Sequence, residues 1–262
     1  CKGQMLQGDQ KKNFVAQLNQ WRQGQLNLEQ LITAIQSSPA DFLDKSDVQS
    51  TLGSLLSIQG KYEASRAAYW KAHQQCAFNN RSHWGLVLLE RRHKYQTFPE
   101  FADNEKFVEV ALRNVKFPPA IAQFIPNYNS FPYVSQRRIQ FASRIWAPYI
   151  EAMHSLGYLA YIKLPFELLS EVPNFEDMRD ARIGPPDMPD YLYDNRLWDD
   201  VRGAGGKMVA SDHDEVFQTV HGDYNLLGHE MAHQFHQYVT GARPAVNNCI
   251  QKLYENAGKR NM

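Results

Sequence analysis

Two histidines and a glutamate lie close together in the last part of the chain, at a spacing that suits metal chemistry. They are His229, Glu230 and His233, in the order His-Glu-x-x-His. On a helix, residues four apart project from one face, so both imidazoles can reach one Zn²⁺ at about 2.0–2.1 Å. Glu230 lies about 100° round the helix, where it can take a proton from a metal-bound water. The pattern predicts a hydrolytic zinc site, with His229 and His233 as ligands and Glu230 as general base.

The residues around this motif favour a helix that is anchored on one side and open on the other. At about 100° per residue, His236 falls within roughly 60° of His229 and His233. Apolar residues occupy the opposite side of the same helix: Leu227, Met231, Phe235 and Tyr238. The sequence therefore predicts an apolar face packed on the core and a histidine face that lines a cleft.

A catalytic zinc usually has three protein ligands, and the third is not evident from the motif. One common pattern places a glycine three residues and a histidine six residues after the second ligand. Here His236 and Val239 occupy those positions. His236 would lie about 7–8 Å along the helix from the midpoint of the two ligands, which disfavours it as the third.

Glu255 is the only acidic residue after His233 and is therefore the next candidate. It falls on a helix predicted to begin near Pro244 and to end before Gly258. We expect this helix to dock through its apolar stripe, which consists of Val246, Ile250, Leu253 and Ala257. Glu255 projects about 180° from that stripe, which favours a solvated side chain over a ligand. The remaining candidate for the third ligand is a residue beyond Met262 in a longer chain.

The composition supports a folded chain and excludes several classes of partner. The 262 residues are 43 % hydrophobic and 12 % aromatic, which allows a sizeable core in two modest domains or one large one. Lys+Arg and Asp+Glu both total 28, so there is no electrostatic case for nucleic acid or an anionic membrane surface. No apolar run approaches the roughly 18–20 residues of a membrane-spanning helix.

Helical periodicity dominates the sequence from about Asn13 to Tyr95. Within it, one set of residues has the spacing of a tetratricopeptide repeat, a helix–turn–helix unit: Leu52, Gly53, Leu56, Gly60, Tyr62, Tyr69 and Ala72. In such a unit Gly53 lets two helices approach closely, Gly60 makes the turn, and the two tyrosines with Ala72 pack the second helix onto the first. An ordinary helical hairpin is the alternative interpretation.

The middle of the chain is predicted to connect this helical region to a second domain. Prolines and aromatic residues between Phe98 and Tyr133 indicate a connector. A helix kinked by Pro148 is predicted over 135–156, a strand over 158–164, and loops with short strands over 171–207. The predicted fold class is mainly α, α+β overall. Residues 1–115 form a tetratricopeptide-like helical region, and residues 116–262 form a zincin-like domain whose last part can be incomplete.

The cysteines bear on localisation. The start Cys1-Lys2-Gly3-Gln4 resembles that of a mature bacterial lipoprotein, which would place a lipid anchor at Cys1 and the protein in the periplasm of a bacterial envelope. The alternative is a cytoplasmic protein cut at an arbitrary cysteine. Cys76 and Cys249 have no CxxC spacing and are predicted to be small buried hydrophobic residues.

The stretch from about Leu164 to Tyr254 resembles a group of gluzincin-like metallopeptidase domains. In that group Arg-Gly-x-Gly-Gly precedes Asn-Leu-Leu, which leads into His-Glu-x-x-His and a helix with a Leu-Tyr-Glu-like segment. Those pieces are residues 202–206, 225–227, 229–233 and 253–255 here. The resemblance implies a zinc-dependent peptidase, with Zn²⁺ as cofactor and a peptide or protein substrate. Tyr224 departs from it by replacing a usual acidic residue, and the group's acidic ligand lies further downstream than Glu255.

Several neighbouring residues have weaker assignments. His213, His221, Asp212, Asp214 and Asp223 are polar loop residues by default, or additional ligands and substrate contacts. Either Tyr238 or Tyr254 could stabilise an oxyanion. The alternative function is a non-enzymatic tetratricopeptide-type adaptor with a vestigial peptidase domain. In either case a protein partner is expected on the helical region.

Overall fold

The structure is a computed structural model that describes residues 4–97, 99–165, 167–175, 197–218 and 225–259. These residues form a mainly helical fold with one small three-stranded sheet, which confirms the predicted fold class. The α-helices of the first part are α1 (Gly8–Arg22), α2 (Leu28–Gln36), α3 (Ala40–Leu43), α4 (Ser46–Ile58), α5 (Tyr62–Gln75), α6 (Asn80–Thr97) and α7 (Pro99–Leu112). The later elements are α8 (Ile121–Phe124), α9 (Tyr133–Ser143), α10 (Ile150–Ser155), β1 (Leu159–Lys163), β2 (Gly203–Ala204), β3 (Met208–Asp212), α11 (His213–Gln218), α12 (Leu226–Ala242) and α13 (Pro244–Lys259).

Helices α4 and α5 form the predicted hairpin, and glycines allow its close packing. A Cβ on Gly53 would lie 2.8 Å from the ring of Tyr69, so only glycine permits this approach. Ser65 is buried and donates a hydrogen bond to the Gly53 carbonyl at 2.7 Å. Gly60 makes the turn with a φ of +76°, a conformation that favours glycine. Tyr62 differs from the prediction, because its ring stacks on His93 of α6.

Helix α6 packs on the same tyrosine, Tyr69, through a second glycine, Gly85. A substitution of this glycine tests the contact. A Cβ on Gly85 would lie 2.2 Å from the Tyr69 ring, whereas a Cβ on Gly241 of α12 would meet nothing within 4 Å. We expect Gly85→Ala to lower the free energy of unfolding by about 1–3 kcal/mol through overpacking. Gly241→Ala should leave it unchanged or raise it by up to about 1 kcal/mol, from helix propensity alone. Urea denaturation measures both, and equal effects of the two substitutions would contradict the packing described.

The prediction of a connector over 98–133 is wrong for its first part, where α7 forms. Pro99 is the first residue of this helix, a position where its missing N–H breaks no helical hydrogen bond. Val108 and Leu112 are buried against Phe141 of α9, so α7 belongs to the packed fold.

One hydrophobic core continues across the predicted boundary between residues 115 and 116. It contains Trp21 and Leu55 from the helical region together with Phe124, Ile162 and Met231 from the later elements. The two segments therefore pack around a shared core.

The sheet has the order β1-β3-β2 and confirms the predicted strand over 158–164. β1 runs parallel to β3, with Leu159 opposite Met208, and β2 runs antiparallel to β3 as an edge strand. The predicted kink at Pro148 is also confirmed, since a 3₁₀ segment (Arg144–Tyr149) separates α9 from α10. Helix α12 crosses this sheet, which is what positions the metal motif.

A buried network of charges joins the first helix to the ends of β1 and β3. Lys163 pairs with Asp212 and donates to the carbonyl of Glu167 at 2.9 Å. The Glu167 carboxylate in turn pairs with Arg22 of α1 at 2.9 Å and accepts from the Leu164 N–H at 2.7 Å. Burial raises the pKa of Asp212 to about 7, even though the neighbouring Lys163 acts to lower it.

Removing Lys163 from this network is expected to lower the free energy of unfolding strongly. Lys163→Met leaves the buried Asp212 carboxylate unpaired, which typically costs about 3–5 kcal/mol of unfolding free energy. The double variant Lys163→Met with Asp212→Leu should recover most of that loss. Lys71→Met is a matched control, since Lys71 pairs with Asp44 at an exposed site and should contribute less than about 1 kcal/mol.

The pH dependence of this loss has a definite sign. Burial raises the pKa of Asp212 above its ordinary value even beside Lys163, so in acid the carboxyl is protonated and no longer needs a cation. The loss caused by Lys163→Met should therefore be larger at pH 8 than at pH 5.5 in urea denaturation. Equal losses of unfolding free energy in Lys163→Met and Lys71→Met would contradict the burial of the Lys163–Asp212 pair.

The two cysteines that the structure describes differ from each other. Cys76 is buried, as predicted, but it is disulfide-bonded. Cys249 on α13 is exposed and free, so the prediction of a buried residue is wrong there. Cys1 lies outside the described residues. Among the helices that the structure describes, none combines the length and hydropathy needed to cross a membrane.

Candidate metal centre

Helix α12 carries the motif, and its first turn is held by an asparagine. The Asn225 side chain accepts a hydrogen bond from the Gly228 N–H at 2.9 Å and donates to the Ala142 carbonyl of α9 at 2.8 Å. A Cβ on Gly228 would lie 2.4 Å from the Asn225 amide nitrogen, so glycine is required beside this cap. The indole of Trp146 donates to the Gly228 carbonyl at 3.1 Å. These bonds fix where the helix begins, and hence which way its histidines face.

The apolar face of α12 packs as predicted. Leu227 and Met231 are fully buried, while Phe235 and Tyr238 pack partly buried against the core. Phe235 also contacts the ring of Trp146 at a centroid distance of 5.0 Å.

A buried glutamine in α12 ties the helix to the sheet. The amide nitrogen of Gln234 donates to the Leu159 and Lys207 carbonyls, each at 2.9 Å. One side chain therefore joins the metal helix to the starts of β1 and β3. This contact limits rotation of the helix about its axis.

The two predicted ligands lie together on the outer face of α12. The Nε2 atoms of His229 and His233 are 3.1 Å apart, and both side chains are exposed. A ligand atom from each of His229, Glu230 and His233 lies within 4.8 Å of the others. The helix thus brings two exposed imidazoles and one buried carboxylate close together.

Glu230 is buried, unlike the two histidines beside it. Burial raises the pKa of its carboxyl to about 7. Gly205, directly after β2, lies against it: a Cβ there would be 2.6 Å from the Glu230 carbonyl oxygen and 2.8 Å from Oε2. A side chain at position 205 would displace the carboxylate, so the glycine-rich element shapes this site. Its position agrees with the loops and short strands predicted over 171–207.

The donor set fits a zinc ion. Two nitrogens bonded to one ion at about 2.0–2.1 Å must lie within roughly 4 Å of each other, and the two Nε2 atoms satisfy this limit. Burial lowers the pKa of His233, with the charges of His229 and His236 acting in the same direction. A lowered pKa favours the neutral imidazole, which is the form that binds metal.

The structure does not bring the other candidate ligands into this group. His236 hydrogen-bonds the side chain of Asn247 at 3.0 Å, and Glu255 is exposed and accepts from Gln251 at 3.2 Å. Within the residues that the structure describes, the group of potential ligands contains only His229, Glu230 and His233.

The prediction that α13 docks through its apolar stripe is wrong. Val246 and Ile250 are each 44 % exposed, and Leu253 is 64 % exposed. The helix contacts the preceding α12 near their junction, and its stripe faces solvent. A periodic stripe identifies which face is apolar, but a tertiary partner must be present to cover it.

The neighbouring polar residues occupy other environments. His213 is buried and hydrogen-bonds the Ser135 hydroxyl at 2.9 Å, and Asp212 belongs to the pair with Lys163. Tyr238 packs against Phe235, while Tyr254 is 77 % exposed. His221 and Asp223 lie outside the described residues. The default interpretation as loop residues is therefore wrong for Asp212, which ends β3, and for His213 and Asp214, which lie in α11.

Sequence reasoning missed two residues that hold the site. Asn225 follows a recognisable rule, since asparagine before a helical pattern is a preferred N-cap. Gln234 gave no local signal, because its partners are backbone carbonyls far away in the chain.

No family model, curated protein or solved structure matches this chain.

Proposed function

We propose that the protein is a zinc-dependent metallopeptidase of the gluzincin-like group. The observation that carries the proposal is the arrangement on α12: two exposed imidazoles with Nε2 atoms 3.1 Å apart, beside a buried glutamate. A surface accident would not supply a buried, desolvated carboxylate next to two accessible ligands. His229 and His233 would hold the zinc, and a third ligand would come from outside the group described.

When bound, zinc would activate a water molecule and polarise the carbonyl of the peptide bond. Glu230 would accept a proton from the attacking water and pass it to the leaving amine. A general base works best with a pKa near the working pH, and burial brings the pKa of Glu230 to about 7. Gly205 keeps the space beside Oε2 free of a side chain, so the carboxylate can hold its position.

The proposal is tested by metal analysis and a peptide-library digest of the purified chain. We expect one zinc per chain, cleavage of library peptides, loss of cleavage with a chelator, and recovery on adding zinc. The alternative is a non-enzymatic adaptor on the tetratricopeptide-like region, with a vestigial peptidase domain. Zinc binding without cleavage would favour that alternative, and absence of both would reject the peptidase.

A further inference from the structure

A groove outside the metal centre runs between α5 and α6 on the surface of the helical region. Its volume is about 670 Å³. The residues that line it are Arg66 and Trp70 from α5 and Leu86, Val87, Glu90, Arg91 and Lys94 from α6.

One end of the groove is apolar and unusually exposed. Trp70 is 47 % exposed and Val87 is 45 % exposed, with Leu86 half-buried beside them. An exposed indole next to aliphatic side chains loses apolar surface to water when a partner covers it, which favours binding.

The other end of the groove is positively charged. Arg66 pairs with Glu90 at 3.2 Å, and Glu90 is the only acidic residue in the lining. Arg91 and Lys94 are exposed and make no ion pair within the described part of the chain. The lining therefore has a net charge of +2 in a chain whose formal net charge is zero.

The spacing of the two ends matches an extended peptide. Along α6, Arg91 lies four residues and Lys94 seven residues from Val87, which is about 6 Å and 10 Å of helix rise. In an extended peptide, side chains two and four residues apart point to the same side and are separated by about 7 Å and 13 Å along the chain, and the long Lys94 side chain can span the remaining distance of about 3 Å. We propose that this groove binds an acidic peptide segment: an apolar side chain against Trp70 and Val87, followed two and four residues later by carboxylates at Arg91 and Lys94.

The experiment uses the full chain with Glu230→Gln, so that a peptide cannot be hydrolysed at the metal centre. The probe is a fluorescein-labelled eight-residue peptide with one leucine and with glutamates two and four residues after it. We expect saturable binding in fluorescence anisotropy, weaker at high salt, and no binding of the same peptide with lysines replacing the glutamates. Arg91→Glu with Lys94→Glu should weaken binding at least tenfold.

The matched control reverses two other exposed cations, Arg113→Glu with Lys116→Glu, and should change the affinity less than twofold. If the reversed-charge variant at Arg91 and Lys94 does not fold, the same positions changed to alanine provide the test. Four results would overturn the proposal: no binding up to about 1 mM peptide, equal binding of the lysine peptide, equal loss in the control, or no loss in the groove variant. Binding to anionic phospholipid vesicles without peptide binding would also overturn it, in favour of a membrane contact.

Discussion

Replacing Glu230 with glutamine is expected to slow peptide hydrolysis by about 10²–10⁴-fold, the usual contribution of a positioned general base. The amide is nearly the same size as the carboxylate, so it should occupy the space beside Gly205 without disturbing α12. It cannot accept the proton of the attacking water. Zinc stoichiometry should stay the same, because Glu230 is proposed to move a proton and not to bind the metal. Initial rates on a cleaved library peptide and metal analysis of the same sample measure both quantities.

Glu255→Gln is the matched control for this experiment. It makes the same chemical change at an exposed glutamate on α13, away from the group formed by His229, Glu230 and His233. Its rate should equal that of the unmodified chain. Undiminished hydrolysis by Glu230→Gln would show that Glu230 is not the general base. Loss of zinc in that variant would show that Glu230 is a zinc ligand.

The second large effect is expected from the two histidines. Changing His229 and His233 together to alanine should reduce bound zinc from one per chain to nearly none, since both ligands in the described group are removed. Either single change should cost most of the affinity, because a catalytic site has few ligands to spare. Zinc content after dialysis against a weak competing chelator measures the loss.

The other candidate ligands provide the controls. His236→Ala removes a hydrogen bond to Asn247, and Glu255→Ala removes one to Gln251, so both should leave zinc affinity within about twofold of the original. A large loss with Glu255→Ala would show that α13 turns toward the metal when zinc binds. Full zinc occupancy in the double histidine variant would reject the site altogether.

The histidine pair of α12 was predictable from the sequence because its geometry is local. His229 and His233 are four residues apart, so forming the helix puts both on one face, where their Nε2 atoms lie 3.1 Å apart. The same reasoning applies to the apolar face of α12. Helices α1, α2, α4 and α5 were likewise predictable from their helical periodicity, and β1 was predictable as a short apolar run.

Local periodicity could not show what covers each face or buries each charge. The burial of Glu230 depends on Gly205, 25 residues earlier, and the orientation of α12 depends on carbonyls that Gln234 reaches at Leu159 and Lys207. The sequence alone suggested a solvated loop for Asp212, which the fold buries against Lys163.

Helix α13 shows the same limit of local periodicity, because a face that was predicted to be buried is exposed there. Its stripe is as regular as that of α12, yet Ile250 and Leu253 remain exposed because no described element packs over them. A sequence determines which face of a helix is apolar, since side chains repeat with the helical period. Only the tertiary structure decides whether that face is buried, because burial requires surfaces from distant parts of the chain to meet.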